Sequence, residues 1–397
     1  MNAVESNAPL AGVRVLDLGQ YIAGPGAAMV LAELGAEVIK IEPHGGERAR
    51  HIGEYGDAIV RSYNRGKRSV IVDLRPARGR ELVMRIAGLC DVVVQNQRPG
   101  AVQKLGLGPQ DMRERYPRLV YLSISGFGTQ GPSSQRPGFD IAAQAESGLM
   151  SVTGEPDGLP QKVGAPIIDS TAAHLGAQAV LAALFRRERT GQGATLETSL
   201  LEAAMHLQLP SFTDFLATGV EPRRLGNAQP KNAPAADIVR TRDGMVVISA
   251  YVQEHWERLC AAMNRPDLVS DPRFCTNAER VRNRPAMRLL MNEALSHLSS
   301  EDFVARLSEA QIVVGAVRGY AQVIESDDVR ACGLVVEAHG PDGASYRTLG
   351  LPYTVDGEPR LSPSACPEIG ADTQAVLLEA GLSQDEIRTL RSERVIA

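Results

Sequence analysis

The chain has 397 residues, of which 44% are hydrophobic and 22% charged, and its formal net charge is −5 at pH 7. This composition is typical of a globular protein with one or two domains, and the acidic balance argues against a nucleic-acid partner. The five cysteines include no CxxC pair, so we expect neither a disulfide framework nor a zinc site. This cysteine usage is typical of a protein in a reducing cytoplasm. The N-terminus lacks the features of a signal peptide, and no apolar run approaches the ~20 residues that span a bilayer, so no membrane partner is expected.

The first elements predict the start of a parallel sheet. Residues 13–42 have the pattern of a strand, a loop, a helix and a second strand, in VRVLDLG, YIAGPG, AAMVLAELG and AEVIKIE. Such a β-α-β unit is almost always right-handed and parallel. Gly24 and Gly26 before the helix, with Glu42 closing the second strand, also suggest an NAD-dependent oxidoreductase, in which the acid would bind a ribose. That dinucleotide fingerprint is incomplete, because Met29 stands where its third glycine belongs.

The same pattern continues along the chain, with strands predicted at 69–74, 91–95 and 119–125 and a helix at 78–89. In open parallel sheets, ligands bind beyond the carboxyl ends of the strands. Several basic residues follow such ends: Lys40, Arg75, Arg98 and Lys104. Each is either a solvated surface charge or a partner for the phosphates of a ligand, since Arg and Lys pair with phosphate oxygens.

The stretch from 163 to 200 carries the candidate catalytic residue. An apolar run leads to Asp169, a small-residue apolar helix follows it and ends at Gly191, and 194–200 alternates like a strand. Asp169 is either only the N-cap of this helix or a nucleophile. A helix N-terminus keeps a carboxylate ionised, and its N–H groups would also stabilise developing negative charge. The two interpretations are compatible, and the local pattern leaves both open.

The remainder predicts a second module of mixed secondary structure. A helix at 201–216 is interrupted by Pro210, a loop follows at 223–237, and Arg242-Asp243-Gly244 marks a hairpin. On the two preceding helices, His174 and His206 are predicted to be core or edge residues rather than metal ligands. Further elements are predicted in the following places: helices at 254–263, 284–297 and 300–310, a strand with a short helix at 312–326, short strands within 334–353, and closing helices at 374–380 and 384–391.

Several ordered stretches resemble the class III CoA-transferase family (CaiB/BaiF type), which includes formyl-CoA:oxalate, carnitine and bile-acid CoA-transferases. The resemblance runs from residue 10 to the end, and it rests on LAGVRVLDLGQYIAGPGAAMVLAELGAEVIKIEP, NRGKRSVIVDL, DVVVQNQRPG, LVYLSISGFG, GPSSQRPGFDIAAQAESGLMSVTG, GAPIIDSTA, TGQGATLETSLLEAA, DGMVVIS and PEIGADTQAVLLEAGLSQDEI. Many motifs in the same order are more specific than any one of them.

The resemblance implies an α/β fold. It comprises a Rossmann-like parallel-sheet large domain, 1–226 together with 331–397, and an inserted smaller α+β domain, 227–330. It also implies a cytoplasmic enzyme whose two subunits form an interlocked homodimer. The implied reaction transfers CoA from an acyl-CoA donor to a carboxylic acid acceptor through an aspartyl-CoA intermediate, with Asp169 as the nucleophile. CoA thioesters are then substrates, and no permanently bound cofactor or metal is needed.

The family's CoA contacts fall on Tyr21, Val72, Arg75, Asn96, Arg98, Lys104, Phe139 and Asp140. The sequence departs from formyl-CoA transferase in several places: Ile22 replaces a glutamine, Pro43 an arginine and Phe139 a tyrosine, and 227–234 stands where that enzyme has a glycine-rich loop. These departures leave transfer chemistry intact, and they leave the acids unidentified.

Three rival functions stay open at this point. A 2-methylacyl-CoA racemase of the same superfamily keeps the aspartate but needs a histidine where this chain has Phe139, whose ring cannot carry a proton. A non-catalytic CoA-binding protein and the NAD-dependent oxidoreductase are the other two.

Overall fold

A computed structural model describes residues 8–228, 235–340, 343–358 and 363–397. The chain forms two compact units: the first comprises Met1–Leu149, Lys162–Gly219 and Asp328–Ala397, and the second comprises Met150–Gln161 and Val220–Asp327. The domain ranges given above stay predictions, and the compact units differ from them by placing 150–161 and 220–226 with the second unit and 328–330 with the first. Residues 229–234 of the predicted loop at 227–234 lie outside the described residues.

The strands are β1 (Arg14–Asp17), β2 (Glu37–Glu42), β3 (Lys67–Ile71), β4 (Val92–Gln95), β5 (Val120–Ser125), β6 (Ala194–Ser199), β7 (Ala235–Arg240), β8 (Met245–Ala250), β9 (Val313–Ala316), β10 (Val335–His339) and β11 (Ser345–Leu349). The helices are α1 (Ala23–Glu33), α2 (Gly53–Tyr63), α3 (Ala77–Ala87), α4 (Pro109–Arg115), α5 (Asp140–Glu146), α6 (Leu149–Val152), α7 (Ile167–Thr190), α8 (Leu200–Leu207), α9 (Leu209–Thr218), α10 (Gln253–Ala262), α11 (Asn277–Arg282), α12 (Arg284–Leu295), α13 (Ser300–Glu309), α14 (Tyr320–Ile324), α15 (Asp327–Cys332), α16 (Thr373–Glu379) and α17 (Gln384–Ser392). The described residues also contain three short 3-10 helices: Arg48–His51, Gln103–Leu105 and Pro266–Val269.

The first unit is built on a six-stranded sheet with the order β3-β2-β1-β4-β5-β6. Every neighbouring pair in this sheet is parallel, which confirms the predicted α/β class. The order is that of the doubly wound dinucleotide-binding folds, in which the chain reverses its direction of winding between β1 and β4. Ligands of such sheets bind at this switch point, beyond the carboxyl ends of the strands.

Helices cover both faces of the sheet, and successive side chains of a strand pack on opposite faces. Val15 of β1 packs on one face in a cluster with residues of α1 and α7, and Leu16 packs on the other in a cluster with residues of α3 and α17. Helices α1 and α7 approach closely where Gly26 meets Ala173, since a Cβ added to Gly26 would lie 2.9 Å from the Ala173 Cβ. This close packing fixes the start of α7 relative to the switch point.

Two predictions about helices in this unit were wrong. The predicted loop YIAGPG is largely helical, because α1 already begins at Ala23 and contains Pro25 in its first turn, where proline is tolerated. The helix α2 had no counterpart in the predicted elements. His174 and His206, predicted as core or edge residues, are both exposed on their helices.

By length and composition alone, α7 is apolar enough to cross a membrane, although the core helices of other proteins meet the same criterion. Nine of its residues are buried, and its small side chains pack on β5, where a Cβ on Gly176 would lie 3.0 Å from Leu122. These contacts are those of a core helix packed on a sheet.

The second unit contains an antiparallel sheet with the order β7-β8-β9. The predicted hairpin at Arg242-Asp243-Gly244 joins β7 to β8, as the turn residues indicated. Its core combines strand residues such as Ile248 with Trp256, Phe274 and Phe303.

A buried network of charges lies beneath the loop that joins β1 to α1. Its members are three carboxylates, Asp17, Glu42 and Glu47, and three cations, Lys40, Arg50 and Lys67. Lys67 Nζ donates to Asp17 Oδ2 at 2.7 Å and to the carbonyl of Pro25 at 2.8 Å. Burial lowers the pKa of Lys67 to about 8, although Asp17 opposes this shift. Lys40 is fully buried and donates to the carbonyl of Gly19, so it is neither a surface charge nor a phosphate partner.

We expect Lys67→Ala to lower the free energy of unfolding by about 3–5 kcal/mol, because it leaves the Asp17 carboxylate buried without its closest cation. Urea denaturation followed by circular dichroism measures the change. Lys162→Ala, at an exposed position, is the control and should change stability by less than about 0.5 kcal/mol. A Lys67→Ala variant as stable as the control would contradict the assigned role of the network.

Candidate active site

Asn96 joins the two loops that meet at the switch point of the sheet. Its Oδ1 accepts the N–H of Gln20 at 2.8 Å, and its Nδ2 donates to the Gln20 carbonyl at 2.9 Å. Gln97 Nε2 also reaches across, to the carbonyl of Leu18 at 3.3 Å. The Asn96 side chain therefore holds the β1–α1 loop against the loop after β4, and it helps to shape the edge at which a ligand would lie.

Tyr21 and Phe139 form an aromatic wall beside this loop. Tyr21 has a φ of +63°, a left-handed conformation that non-glycine residues adopt rarely and mostly where the surroundings enforce it. Its N–H donates to Glu47 Oε2 at 2.8 Å, so the buried charge network holds this conformation. The ring of Tyr21 meets that of Phe139 edge-on at 5.5 Å between centroids, and Phe139 is 56% exposed. Ile22, beside Tyr21, is buried and therefore contributes no side chain to this surface.

Asp140 joins the start of α5 to the start of α7. Its Oδ2 accepts the N–H groups of Ile168 at 2.7 Å and of Asp169 at 3.1 Å, and its Oδ1 accepts from Gln144. The N–H of Ser170 donates to the Pro166 carbonyl at 3.1 Å. The first amides of α7 are thus already engaged.

These contacts correct two expectations about Asp169. The N-cap position of α7 is Pro166, and Asp169 lies within the first helical turn, so it is not the N-cap. The amides that were expected to face developing negative charge donate instead to Asp140 and Pro166. The orienting group at this helix start is the carboxylate of Asp140, which lies 29 residues earlier in the chain.

The carboxylate of Asp169 is half-buried, and no positive charge compensates it among the described residues. Within the described parts of the chain, no donor hydrogen-bonds to it and no cation pairs with it. Burial, and secondarily the negative charge of Asp140, raises the pKa of Asp169 to about 7. The hydroxyl of Ser170, the next residue of the helix, lies 3.2 Å from that of Tyr63. Sequence reasoning missed Tyr63, because it ends the helix that was not predicted.

The predicted phosphate partners differ in how they are placed. Arg98 and Lys104 are exposed on the segment after β4, and neither has an ion-pair partner among the residues that the structure describes. Arg75 is 88% exposed and pairs with Asp73 at 2.7 Å. It follows the edge strand β3, three strand spacings or roughly 14 Å from β4. Val72 is buried, so its side chain lies in the core and not on the ligand surface.

Glu42, which a nicotinamide enzyme would use to bind a ribose, is fully buried. It accepts hydrogen bonds from Arg50 Nε at 2.9 Å and from Ser69 Oγ at 2.8 Å. Because these partners occupy the carboxylate inside the protein, it is not available to a dinucleotide, and the NAD-dependent alternative loses its main support.

The doubly wound sheet, the half-buried carboxylate and, among the described residues, exposed cations without ion-pair partners beyond the strand ends are typical of an α/β enzyme with an anionic substrate. The sequence profile of CoA-transferase family III matches residues 10–373. The chain belongs to this family and is an enzyme of the CoA-transferase type, which confirms the resemblance.

Relatives of known name and structure support this assignment. The chain is 38% identical over 339 residues to a probable fatty acyl-CoA transferase of Mycobacterium tuberculosis, covering 80% of this chain and 84% of the relative. It is 32% identical over 382 residues to the succinate–glutarate CoA-transferase of Agrobacterium fabrum, covering 94% and 95%. A crystal structure of a CAIB/BAIF family protein from Brucella suis superposes with a TM-score of 0.85 at 32% identity, covering 94% of this chain and all of that one.

We expect Asp169→Asn to stabilise the protein at pH 8 and to do so much less at pH 5. The folded-state pKa of about 7 lies above the ordinary aspartate value of 3.8, so the fold favours the protonated acid and loses stability as pH rises from about 4 to about 7. An amide removes this cost, which we put at about 1–3 kcal/mol after allowing for screening by water.

Thermal denaturation of both proteins at pH 5 and pH 8 measures this difference. Asp157→Asn, at an exposed position, serves as the control and should show no pH-dependent gain. An Asp169→Asn effect that is the same at both pH values would contradict the electrostatic description of the site.

Proposed function

We propose that this enzyme moves CoA from an acyl-CoA thioester to a free carboxylic acid through an aspartyl-CoA intermediate on Asp169. The observation that carries the proposal is the state of this carboxylate: half-buried, without a donor among the described residues, and adjacent to Asp140. Burial strips water from the carboxylate and makes it more basic, and both changes favour attack on an acyl carbon. A pKa of about 7 leaves a substantial ionised fraction at neutral pH.

The proposed reaction balances without an oxidant, a metal or a nucleotide. An Asp169 oxygen attacks the acyl carbon of the donor, the C–S bond breaks, and CoA thiolate leaves a mixed anhydride on the enzyme. The thiolate attacks Cγ of Asp169 and releases the first acid as its anion. The acceptor carboxylate then attacks Cγ of the aspartyl thioester and expels the thiolate. The thiolate finally attacks the acceptor's acyl carbon, which forms the new thioester and restores Asp169. No permanently bound cofactor takes part.

We place the phosphate-bearing end of CoA across the carboxyl ends of the strands, near Arg98, Lys104 and Arg75. Arg98 and Lys104 are exposed cations on the segment after β4, directly at the switch point of the sheet. Arg75 is held by Asp73 within its own loop, so binding a phosphate requires it to exchange this partner. Tyr21 and Phe139 would then flank the thioester end, between these loops and α7.

One relative is named as a succinate–glutarate CoA-transferase and another as a probable fatty acyl-CoA transferase, so related enzymes carry names with both short dicarboxylic and fatty acyl groups. A racemase is disfavoured because its second acid or base would fall on Phe139, an exposed ring that meets Tyr21 and has no titratable group.

We propose that the enzyme works as a cytoplasmic homodimer. All ten residues of α9 are described and none is buried, although the helix is apolar: Leu209 is 55% exposed and Leu216 79% exposed. An apolar helix left uncovered in one chain is typical of a surface that a second subunit covers. The free cysteines described in the structure accord with a reducing compartment.

Sedimentation velocity tests whether the protein is a dimer, and a monomer at micromolar concentration would contradict the proposed homodimer.

Asp169→Ala and Asp169→Asn should reduce CoA transfer to background while the far-UV circular dichroism stays unchanged, because the nucleophile is lost. The assay screens acetyl-, succinyl- and decanoyl-CoA against a panel of carboxylic acids by mass spectrometry. With wild-type enzyme, hydroxylamine should trap a hydroxamate on the peptide that contains Asp169. Asp157→Asn, at an exposed position, should retain wild-type activity. Near-normal turnover in Asp169→Ala would contradict the mechanism.

Arg98→Ala, Lys104→Ala and Arg75→Ala should each weaken CoA binding by about 1–3 kcal/mol, the range for a charge-assisted hydrogen bond. Titration calorimetry at two salt concentrations measures the loss, which should shrink at high salt because exposed charges are screened. Arg118→Ala is the matched control, because this exposed arginine precedes β5 and so lies at the amino ends of the strands, away from the proposed phosphate site. Unchanged affinity in all three variants would rule out the placement.

A further inference from the structure

The charge on Asp169 changes during the proposed reaction, and the donors that would stabilise it are not obvious. Two steps of that reaction pass through a tetrahedral carbon at Cγ of Asp169, so one of its oxygens carries the negative charge. The amides of Ile168 and Asp169 donate to Asp140, and that of Ser170 donates to Pro166. The hydroxyl of Thr171 donates to the carbonyl of Ile167 at 2.7 Å. These groups are therefore already committed when charge develops.

The hydroxyls of Ser170 and Tyr63 are two further donors close to the start of α7. The two hydroxyl oxygens lie 3.2 Å apart, and either can be the donor. Ser170 directly follows Asp169 in the first turn of α7, and both residues are half-buried. A serine hydroxyl accepts one hydrogen bond and still donates its own proton, whereas a bond from Tyr63 to Ser170 uses the single tyrosine proton.

The packing between helices brings Tyr63 to this position. A Cβ on Gly26 would lie 3.2 Å from Tyr63 Cδ1 and 2.9 Å from the Ala173 Cβ, so the glycine in α1 makes room for both. Burial raises the pKa of Tyr63, and the bond to Ser170 opposes this shift, while the charge of Asp169 adds to it. Tyr63 therefore stays protonated and within the field of the Asp169 carboxylate.

We infer that Ser170 is a catalytic residue whose hydroxyl donates to the oxyanion on Asp169, and that Tyr63 is a positioning residue that directs this hydroxyl. The inference rests on the proposed aspartyl-CoA mechanism. In the tetrahedral state, the Tyr63 hydroxyl would donate to Ser170 Oγ, a contact already present at 3.2 Å, and this would leave the Ser170 proton for the oxyanion on Asp169. When CoA thiolate or an acceptor carboxylate attacks Cγ, the C=O electrons move to that oxygen and Ser170 stabilises it. When the leaving group departs, the electrons return and the proton stays on Ser170.

Such a donor accelerates the reaction because it binds the tetrahedral state more strongly than the neutral anhydride or thioester. Ser170→Ala should lower kcat about 10²-fold, and Tyr63→Phe about 10-fold, since Tyr63 acts through Ser170. Ser170→Thr keeps a hydroxyl and should stay within about threefold of the wild type. The affinity for CoA should not change in any of these variants.

The experiment mixes each enzyme with acetyl-, succinyl- or decanoyl-CoA, quenches it at successive times and measures the protein-bound CoA adduct by intact mass. Formation of the adduct should slow in Ser170→Ala and Tyr63→Phe by the same factors as kcat. Tyr55→Phe, on the exposed face of the same helix, is the control and should match the wild type. Melting temperatures and CoA affinities identify any variant whose fold is damaged.

The outcomes separate this inference from the proposed function. If the wild type forms no adduct on Asp169, the proposed mechanism fails. If the wild type forms the adduct and both Ser170→Ala and Tyr63→Phe form it at the wild-type rate, the mechanism stands and the inference is overturned. Slow adduct formation in Ser170→Ala with recovery in Ser170→Thr supports the role of the hydroxyl.

Discussion

The active site depends on the hydrogen bonds that the Asp140 carboxylate accepts from the first amides of α7, at 2.7 Å and 3.1 Å. One carboxylate here replaces the side chain that would normally cap this helix, and so it fixes α5 against α7. The same contact brings a second negative charge close to Asp169 and raises the pKa of that group beyond the effect of burial alone. Holding Asp169, the proposed nucleophile, in place and raising its basicity are therefore consequences of one interaction.

The other side of the site depends on buried ion pairs. Glu47 accepts the N–H of Tyr21 and holds that residue at a positive φ, while Lys40 and Lys67 bind the carbonyls of Gly19 and Pro25. Burying charges has a high desolvation cost, which is offset here because the carboxylates and cations pair closely and are hydrogen-bonded. The result is a rigid β1–α1 loop at the point where parallel sheets of this order bind their ligands.

The sequence predicted the parallel sheet because its strands are apolar runs separated by helices, a pattern that depends on nearby residues. It failed where a distant contact decides the structure. Gly24, Pro25 and Gly26 look like loop residues, yet they lie in α1, where Gly24 packs against Asn96 and Gly26 against Ala173 of α7. Asp140 lies 28 residues from the amide of Ile168, so its capping role has no local signal. Family resemblance supplied the candidate residues, but only the structure shows Val72 in the core and Tyr63 beside Ser170.

The central claim is that the carboxyl group of Asp169 forms a mixed anhydride with each acid in turn, and isotope transfer tests it most directly. An acceptor acid labelled with ¹⁸O in its carboxylate attacks Cγ, and the bridging ¹⁸O of the anhydride stays on Asp169 when thiolate attacks the acyl carbon. After turnover, the peptide containing Asp169 should therefore carry ¹⁸O, and it should carry none when the acceptor is omitted. Complete CoA transfer with no ¹⁸O in that peptide would contradict the account.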